Sequence, residues 1–215
     1  PKITGVVTTG DGTRGLRLNR SDKVQVVDFT ATDQPIGIFT HVGSTDLRFE
    51  RITITGGRRG VVVEKSTSGL AMRESTIDGA SVVGVGVGGH DVSLDGLSIS
   101  GARTGVKIER GAANVTATGL SLSGGEDGFV ANPGSTAVVV RDLVAQGIGN
   151  DAVRTYSPDT QVLGGRITGA DTGIVAAAAT VISNTAITKV ETGLRARGTD
   201  LVAADRVDVA ALTLG

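Results

Sequence analysis

The sequence contains no cysteine and no tryptophan, and only 2% of its 215 residues are aromatic. Without cysteine, neither a disulfide framework nor a thiolate metal site can form. No apolar run approaches the roughly 18 residues that a membrane-spanning helix needs. With 21 basic and 22 acidic residues, the net charge of −1 gives no reason to expect nucleic acid as a partner.

Glycine, in contrast, makes up 33 of the 215 residues and returns at a fixed interval. Each returning glycine opens the same pattern of Gly, aliphatic, any residue, aliphatic. About 22 residues separate one of these anchors from the next, which is the self-similarity of a solenoid. A second set runs in phase with the first, so each coil carries two turn points. The anchors are Gly15, Gly37, Gly60, Gly84, Gly105, Gly128, Gly173 and Gly193, with Ala152 once in their place, and the second set is Gly56, Gly79, Gly101, Gly124, Gly147 and Gly169.

Between the turn points, aliphatic and polar residues alternate. The coil that opens at Gly84 contains three such segments, with Val85/Val87, Val92/Leu94 and Leu97/Ile99 as their apolar residues. A period of two is the signal of a β-strand, and helical periodicity is absent. Three strands per coil describe a parallel β-helix. We therefore predict one all-β domain over residues 1–215, with about nine coils, three parallel sheets and columns of inward aliphatic residues.

The pattern Gly-Val-x-Ile, Asn-Val-Thr, Leu-Ser-Leu, seen between Gly105 and Leu122, resembles the right-handed parallel β-helix superfamily. This superfamily includes pectate lyases, polygalacturonases, alginate epimerases and phage tailspikes. The resemblance covers nearly the whole chain and concerns the scaffold. It implies a right-handed coil, a polysaccharide partner lying along the outer face of the first strand after each anchor, and an extracellular or cell-surface location, by fold analogy alone.

Two adjacent coils carry a narrower resemblance. Residues 125–129 (Gly-Glu-Asp-Gly-Phe) and 149–153 (Gly-Asn-Asp-Ala-Val) are similar to the acidic segments of polygalacturonases, Asn-Thr-Asp-Gly-Ile and Gly-Asp-Asp-Cys-Ile. The chain departs from that family where Gly-His-Gly is replaced by residues 171–173 (Asp-Thr-Gly). It departs again where Arg-Ile-Lys is replaced by residues 195–197 (Arg-Ala-Arg). One aspartate and the histidine are therefore missing from the hydrolase pattern.

Alternation places Asp127 and Asp151 at equivalent outward positions of adjacent coils, so their carboxylates are expected about 5 Å apart. Such a pair would split its pKa values, bind a cation, or flank a guanidinium such as that of Arg154. Glycoside hydrolysis uses carboxyl groups about 5 to 9.5 Å apart, whereas capping of turn amides is the structural alternative. The candidate catalytic residues are Asp127, Asp151, Arg154 and Tyr156, and the candidate substrate-binding residues are Lys107, Glu109, Asn132 and Arg195.

Metal and cofactor chemistry has little support in the sequence. His41 and His90, the only histidines, stand at different offsets from their anchors, so we predict no two-histidine metal site. We predict no cofactor. Calcium binding is left as a possibility, although the glycine- and aspartate-rich nonapeptide repeat that binds calcium between coils is absent.

Two functional interpretations follow. The first is a non-catalytic module that acts as a spacer, an adhesin-like rod or a polysaccharide-guiding surface within a larger extracellular protein. The second is a lyase, epimerase or hydrolase that acts on an acidic glycan through coils five to seven; by resemblance, Arg154 and Tyr156 would bind an acidic sugar and supply a general base. A tailspike-like trimer component is a third. Every coil closes within 20 to 24 residues, which leaves no room for the long loops that build a deep cleft.

Residues 1–7 and 207–214 both have strand character and carry no visible cap. Exposed strand edges are association sites. We therefore expect neighbouring parts of a larger protein to cover them, or the chain to self-associate end to end or laterally.

Overall fold

The computed structural model describes residues 1–10, 12–198 and 202–211, and the regular structure in these ranges consists of 25 β-strands. The strands pair in parallel between successive coils, so that Val85 lies beside Val61 on one side and Val106 on the other. The predicted all-β parallel β-helix is thereby confirmed. The described residues contain no helix that is long and apolar enough to cross a membrane.

The first strand of each coil belongs to one nine-stranded sheet, which we call the front sheet. Coils one to nine are numbered by these strands. The front strands are β3 (Leu16–Asn19), β6 (Ile36–His41), β9 (Arg59–Val63), β12 (Val83–Val87), β15 (Thr104–Ile108), β18 (Asp127–Ala131), β20 (Asp151–Thr155), β22 (Thr172–Ala176) and β24 (Thr192–Ala196).

The second and third strands of each coil form two separate series in the first part of the chain. The second series is β1 (Lys2–Thr4), β4 (Gln25–Val27), β7 (Arg48–Glu50), β10 (Ala71–Arg73), β13 (His90–Asp95) and β16 (Ala113–Thr118). The third is β2 (Val7–Thr9), β5 (Thr30–Thr32), β8 (Thr53–Thr55), β11 (Thr76–Asp78), β14 (Ser98–Ser100) and β17 (Ser121–Ser123).

From coil six onward these two series merge. One long strand per coil replaces two short ones, because a single left-handed residue such as Asp142 (φ 51°) bends the chain without ending the pairing on either side of it. The long strands are β19 (Thr136–Gln146), β21 (Thr160–Thr168), β23 (Thr180–Val190) and β25 (Val202–Ala211).

The core is a set of columns that run along the axis. Val85, Val106, Phe129, Val153 and Ile174 pair in register and are each 0% exposed. This confirms the predicted ladder of inward residues. Dispersion contacts in such a column are made mainly with the coils above and below, so stability is distributed along the rod rather than held in one globular core.

Glycine occupies the anchor positions for a steric reason. A Cβ atom placed on Gly105 would lie 2.8 Å from the carbonyl oxygen of Gly128 in the next coil, and one on Gly60 would lie 2.5 Å from that of Gly84. At these two positions a side chain would require backbone atoms to shift, whereas the anchor Ala152 carries a methyl group and its strand still pairs in register with the next coil. The preference for glycine at the anchors therefore comes from close contact between adjacent coils.

Polar side chains on the surface also bond from coil to coil. Arg51 Nε donates to Asp28 Oδ1 at 2.7 Å, and Asn114 Nδ2 donates to Asp91 Oδ1 at 2.9 Å. The hydrogen bond from Arg51 holds the pKa of Asp28 below its ordinary value. The hydrogen bond with His90, followed by that from Asn114, does the same for the pKa of Asp91. These exposed pairs follow the register of the coils.

We predict that Val106→Asp destabilises the chain by about 3 kcal/mol or more, because it buries a carboxylate without a partner in the core column. Thr116→Asp is the matched control, since Thr116 is exposed on the second series. Thermal and urea unfolding followed by circular dichroism would measure both. A Val106→Asp protein as stable as the control would contradict the assignment of the column.

Candidate functional site

The Arg154 side chain lies between the two candidate aspartates, which begin strands β18 and β20. Its Nη2 donates to Asp127 Oδ2, and its Nε lies 3.5 Å from Asp151 Oδ2. The Asp151 side chain is only 8% exposed, that of Asp127 14% and that of Arg154 23%. Of the three arrangements predicted for the carboxylate pair, the structure therefore has the flanked guanidinium.

Asn150 completes this cluster, although the sequence analysis did not select it. Its Nδ2 donates to Asp127 Oδ1 at 3.0 Å, so both oxygens of Asp127 are engaged. Arg154 Nε is buried and makes no hydrogen bond, because the approach to Asp151 satisfies only the distance of an ion pair. With one guanidinium compensating the charge of two carboxylates, the arrangement immobilises Arg154 on the outer face.

Three of the candidate substrate-binding residues form a second cluster one coil earlier. Lys107 Nζ lies 3.0 Å from Glu109 Oε1, and Asn132 Nδ2 donates to Glu109 Oε2 at 3.0 Å. The Lys107 and Glu109 side chains are partly exposed. Val130 stands in register between Lys107 and Arg154 and is 5% exposed, so it separates the two clusters.

Tyr156 and Arg195 do not join either cluster through a side-chain hydrogen bond. Tyr156 follows β20, and its backbone N–H donates to the Ala131 carbonyl oxygen at 2.8 Å. Arg195 Nη2 donates to Thr192 Oγ1 at 3.4 Å. Val175, which is 1% exposed, stands in register between Arg154 and Arg195. The candidate residues thus lie on one face, where most of them form two polar clusters and Tyr156 and Arg195 stand apart from both.

A groove on the front sheet was missed by the sequence analysis. It has a volume of about 500 Å³ and crosses coils three to five. Gly86 lies in register between Val62 and Lys107 and has no side chain to extend over it. The sequence feature that could have predicted this groove is the pair Gly86 and Gly88, two outward positions without side chains in a single coil. We call it the front groove, and it is lined by Val62, Val63, Glu64, Lys65, Ser66, Gly88, Glu109 and Arg110.

An aromatic cluster in coil two adjoins the front groove. The Phe39 and His41 rings stack with their centroids 5.2 Å apart, and the Arg14 guanidinium lies 4.7 Å from the Phe39 centroid. His41 Nδ1 is 2.6 Å from Glu64 Oε2, and Glu64 also lines the groove. Phe39 was visible in the sequence as the aromatic residue among the central outward positions of the front strands.

Metal-binding geometry is not found in the part of the chain that the structure describes. Within residues 1–10, 12–198 and 202–211, no group of three or more histidine, aspartate or glutamate side chains is arranged to hold an ion. At the aspartate pair, the guanidinium of Arg154 occupies the position between the carboxylates.

The described coils match solved parallel β-helix structures. The chain is similar to the surface adhesin PfbA of Streptococcus pneumoniae, with 9% identity, a TM-score of 0.55, and coverage of 91% of this chain and 62% of the adhesin. It is similar to the A-module of the mannuronan C-5 epimerase AlgE4 of Azotobacter vinelandii, with 16% identity, a TM-score of 0.54, and coverage of 100% and 79%. It is also similar to the receptor-binding domain of the siphovirus 9NA tailspike, with 8% identity, a TM-score of 0.58, and coverage of 95% and 52%.

These likenesses establish the fold: the chain is a parallel β-helix protein. It spans less than two thirds of the adhesin and about half of the tailspike domain. No protein-family model matches the sequence, and no curated protein matches it as a relative.

We predict that Arg154→Gln lowers the free energy of unfolding by about 1–3 kcal/mol, because it leaves two adjacent, largely buried carboxylates without a cation. Arg206→Gln is the control, since the Arg206–Asp205 pair at 3.0 Å is mostly exposed and its loss should have no measurable effect. Denaturant unfolding of both variants would measure the difference. Equal stability of Arg154→Gln and the parent would show that the cluster contributes nothing to folding.

Proposed function

We propose that this chain is a polysaccharide-binding module of a larger extracellular protein, with the front sheet as its binding face. The front groove is the observation that carries the proposal. It is a shallow depression on the face of a regular rod rather than a closed pocket, and a shallow depression suits an extended polymer better than an enclosed small molecule.

The lining of the front groove suits a sugar chain chemically. Val62 and Gly88 contribute apolar surface, while Glu64, Glu109 and Arg110 provide hydrogen-bonding groups of both polarities. Binding sites for small polar ligands commonly combine an apolar lining with a few placed polar groups. Sugar rings present C–H faces together with hydroxyl groups that both donate and accept, which matches a mixture of this kind.

The two polar clusters extend this face toward coil seven. Lys107, Glu109 and Asn132 adjoin the groove through Glu109, and Arg154 lies two coils beyond Lys107. Because their side chains already bond to one another, these groups would meet a ligand with little loss of conformational entropy. We assign them a supporting role in binding.

The structures that share the fold support the same class of partner. Their names describe an adhesin, a mannuronan epimerase and a tailspike receptor-binding domain. Proteins of these kinds act at surfaces or on polysaccharides, which favours an extracellular location and a glycan partner for this chain. The identities of 8–16% provide no residue-level support.

The geometry favours binding over catalysis. A hydrolase needs one carboxyl group free to donate a proton and another free to attack or to activate water. Here Asp127 bonds to both Arg154 and Asn150, and the Asp151 side chain is only 8% exposed beside the same guanidinium. The alternative is an enzyme that acts on an acidic glycan through Asp127, Asp151, Arg154 and Tyr156. This alternative stays a prediction, and the activity assay described below tests it.

We predict that the chain binds at least one member of a panel of soluble polysaccharides, including mannuronan, pectate and α-1,3-glucan, and that Gly86→Leu weakens this binding at least about tenfold. A Cβ atom at Gly86 would meet nothing closer than 3.7 Å, so there is room for a side chain to begin, and we expect the leucine to extend over the groove beside its neighbour Val62, which lines it. Ser93→Leu, at an exposed site on β13, is the matched control. Isothermal titration calorimetry would measure affinity.

The same polymers are incubated with the protein and examined for shortened, unsaturated or epimerised products. Turnover that disappears in Asp151→Asn would replace the binding proposal by the enzymatic one. A folded protein that binds no polymer in the panel, or one whose affinity is the same in Gly86→Leu and Ser93→Leu, would overturn the assignment of the front groove.

A further inference from the structure

A column of turn residues runs along one edge of the front sheet, just before each front strand. Backbone hydrogen bonds stack its members: Arg58 N–H donates to the Pro35 carbonyl oxygen at 3.2 Å, and Glu126 N–H donates to that of Arg103 at 2.9 Å. We call it the edge column. From coil two to coil nine its members are Pro35, Arg58, Val82, Arg103, Glu126, Asn150, Asp171 and Glu191.

The charges of the edge column are separated by sign along the axis. Arg58 and Arg103 lie in coils three and five, whereas Glu126, Asp171 and Glu191 lie in coils six, eight and nine, and all five residues are exposed. Arg103 and Glu126 meet at the boundary at 2.9 Å. Among the described residues, no opposite charge lies within 4.0 Å of Arg58, Asp171 or Glu191.

Beyond the Arg103–Glu126 pair at the boundary, the two halves cannot neutralise each other within one chain. Arg58 and Asp171 are five coils apart, about 24 Å at the spacing of paired strands. The Debye length at physiological ionic strength is about 8 Å, so their attraction across that distance is screened. A second copy laid antiparallel along the edge brings each of the two arginines against an acidic residue, while Glu191 faces Pro35.

We propose that two copies of this chain associate side by side and antiparallel along the edge column, about a two-fold axis between coils five and six. This axis places Arg103 opposite Glu126 of the second copy and Arg58 opposite Asp171. It also places Val82 opposite Asn150, so that these uncharged positions face each other. The contact is isologous and closes as a dimer.

The corner beside the edge column is consistent with close approach. Six consecutive coils have glycine there, namely Gly56, Gly79, Gly101, Gly124, Gly147 and Gly169, all with positive φ. The same corner holds Asp33 and Lys189 at φ 54°, so the backbone accepts a side chain. A Cβ atom on Gly101 would meet nothing closer than 3.6 Å. A Cβ atom on Gly56 would meet Asp33 Oδ1 at 2.2 Å, but from Gly79 to Gly169 contacts inside the chain do not require the corner to be bare.

Sedimentation equilibrium over a concentration series tests the proposal. At low salt we expect a monomer–dimer equilibrium, and raising the salt to about 1 M should weaken it at least about tenfold, because the Debye length falls to about 3 Å. Arg58→Glu alone and Asp171→Arg alone should each weaken the dimer to a similar extent. An equimolar mixture of the two variants should associate again, because every Arg58–Asp171 contact then joins opposite charges.

Arg141→Glu is the control for the change in charge, since Arg141 is exposed on β19, away from the edge column. It should dimerise as the parent does. All three substitutions are at exposed positions, and circular dichroism would show that each variant is folded.

Because the chain lacks cysteine, engineered disulfides give an independent test. Mild oxidation should join Arg58→Cys to Asp171→Cys when the two variants are mixed, whereas neither should form a covalent dimer alone, since equivalent positions lie about five coils apart across the axis. A monomer at every concentration at low salt would overturn the proposal. So would a dimer that tolerates Arg58→Glu, which would indicate end-to-end stacking, or a mixture that fails to associate.

Discussion

Contact between successive coils at the anchor glycines is the constraint on which the rest of this structure depends. At Gly60 and Gly105 the neighbouring carbonyl oxygen lies where a side chain would begin. This approach keeps the strands at hydrogen-bonding distance and holds Val85, Val106 and Phe129 in one column. At Gly60 or Gly105 a larger residue would have to displace backbone, and the one anchor with a methyl group, Ala152, still leaves Val153 and Ile174 paired in register.

The same constraint arranges the surface. Residues at equivalent positions become neighbours one coil apart, so polar groups interact along the axis: Arg51 with Asp28, Asn132 with Glu109, Asn150 with Asp127. Arg154 belongs to this pattern, because its side chain reaches back one coil to Asp127 and along its own strand to Asp151. The chemistry of the face is therefore set by which residue types meet in consecutive coils, with no contribution from long loops.

The sequence was sufficient to predict the coils, because both signals of the repeat, the anchor glycines and the period of two, come from short-range geometry. It also placed Asp127, Asp151 and Arg154 together, since register alone decides that proximity. It could not decide among a split pair, a cation site and a flanked guanidinium, because that choice depends on the conformation of Arg154. The front groove escaped notice because it lies at Gly88 and beside Gly86, where the relevant property is a missing side chain. The merging of two strand series at β19 was also missed, because Asp142 reads as a turn residue although pairing continues on both sides of it.

The in-register pairing has a consequence for how such a chain can change in length. A deletion or insertion inside a front strand breaks the in-register pairing of that coil, and the turns absorb only the few residues by which coils of 20 to 24 residues differ, whereas the gain or loss of a whole coil restores the same contacts at the join. From Val61 to Val85 or from Val106 to Phe129, the chain could lose or duplicate one unit and still close its columns. Rods of this kind are therefore expected to differ in length by whole coils. The outward-facing residues of each coil can vary independently of that number.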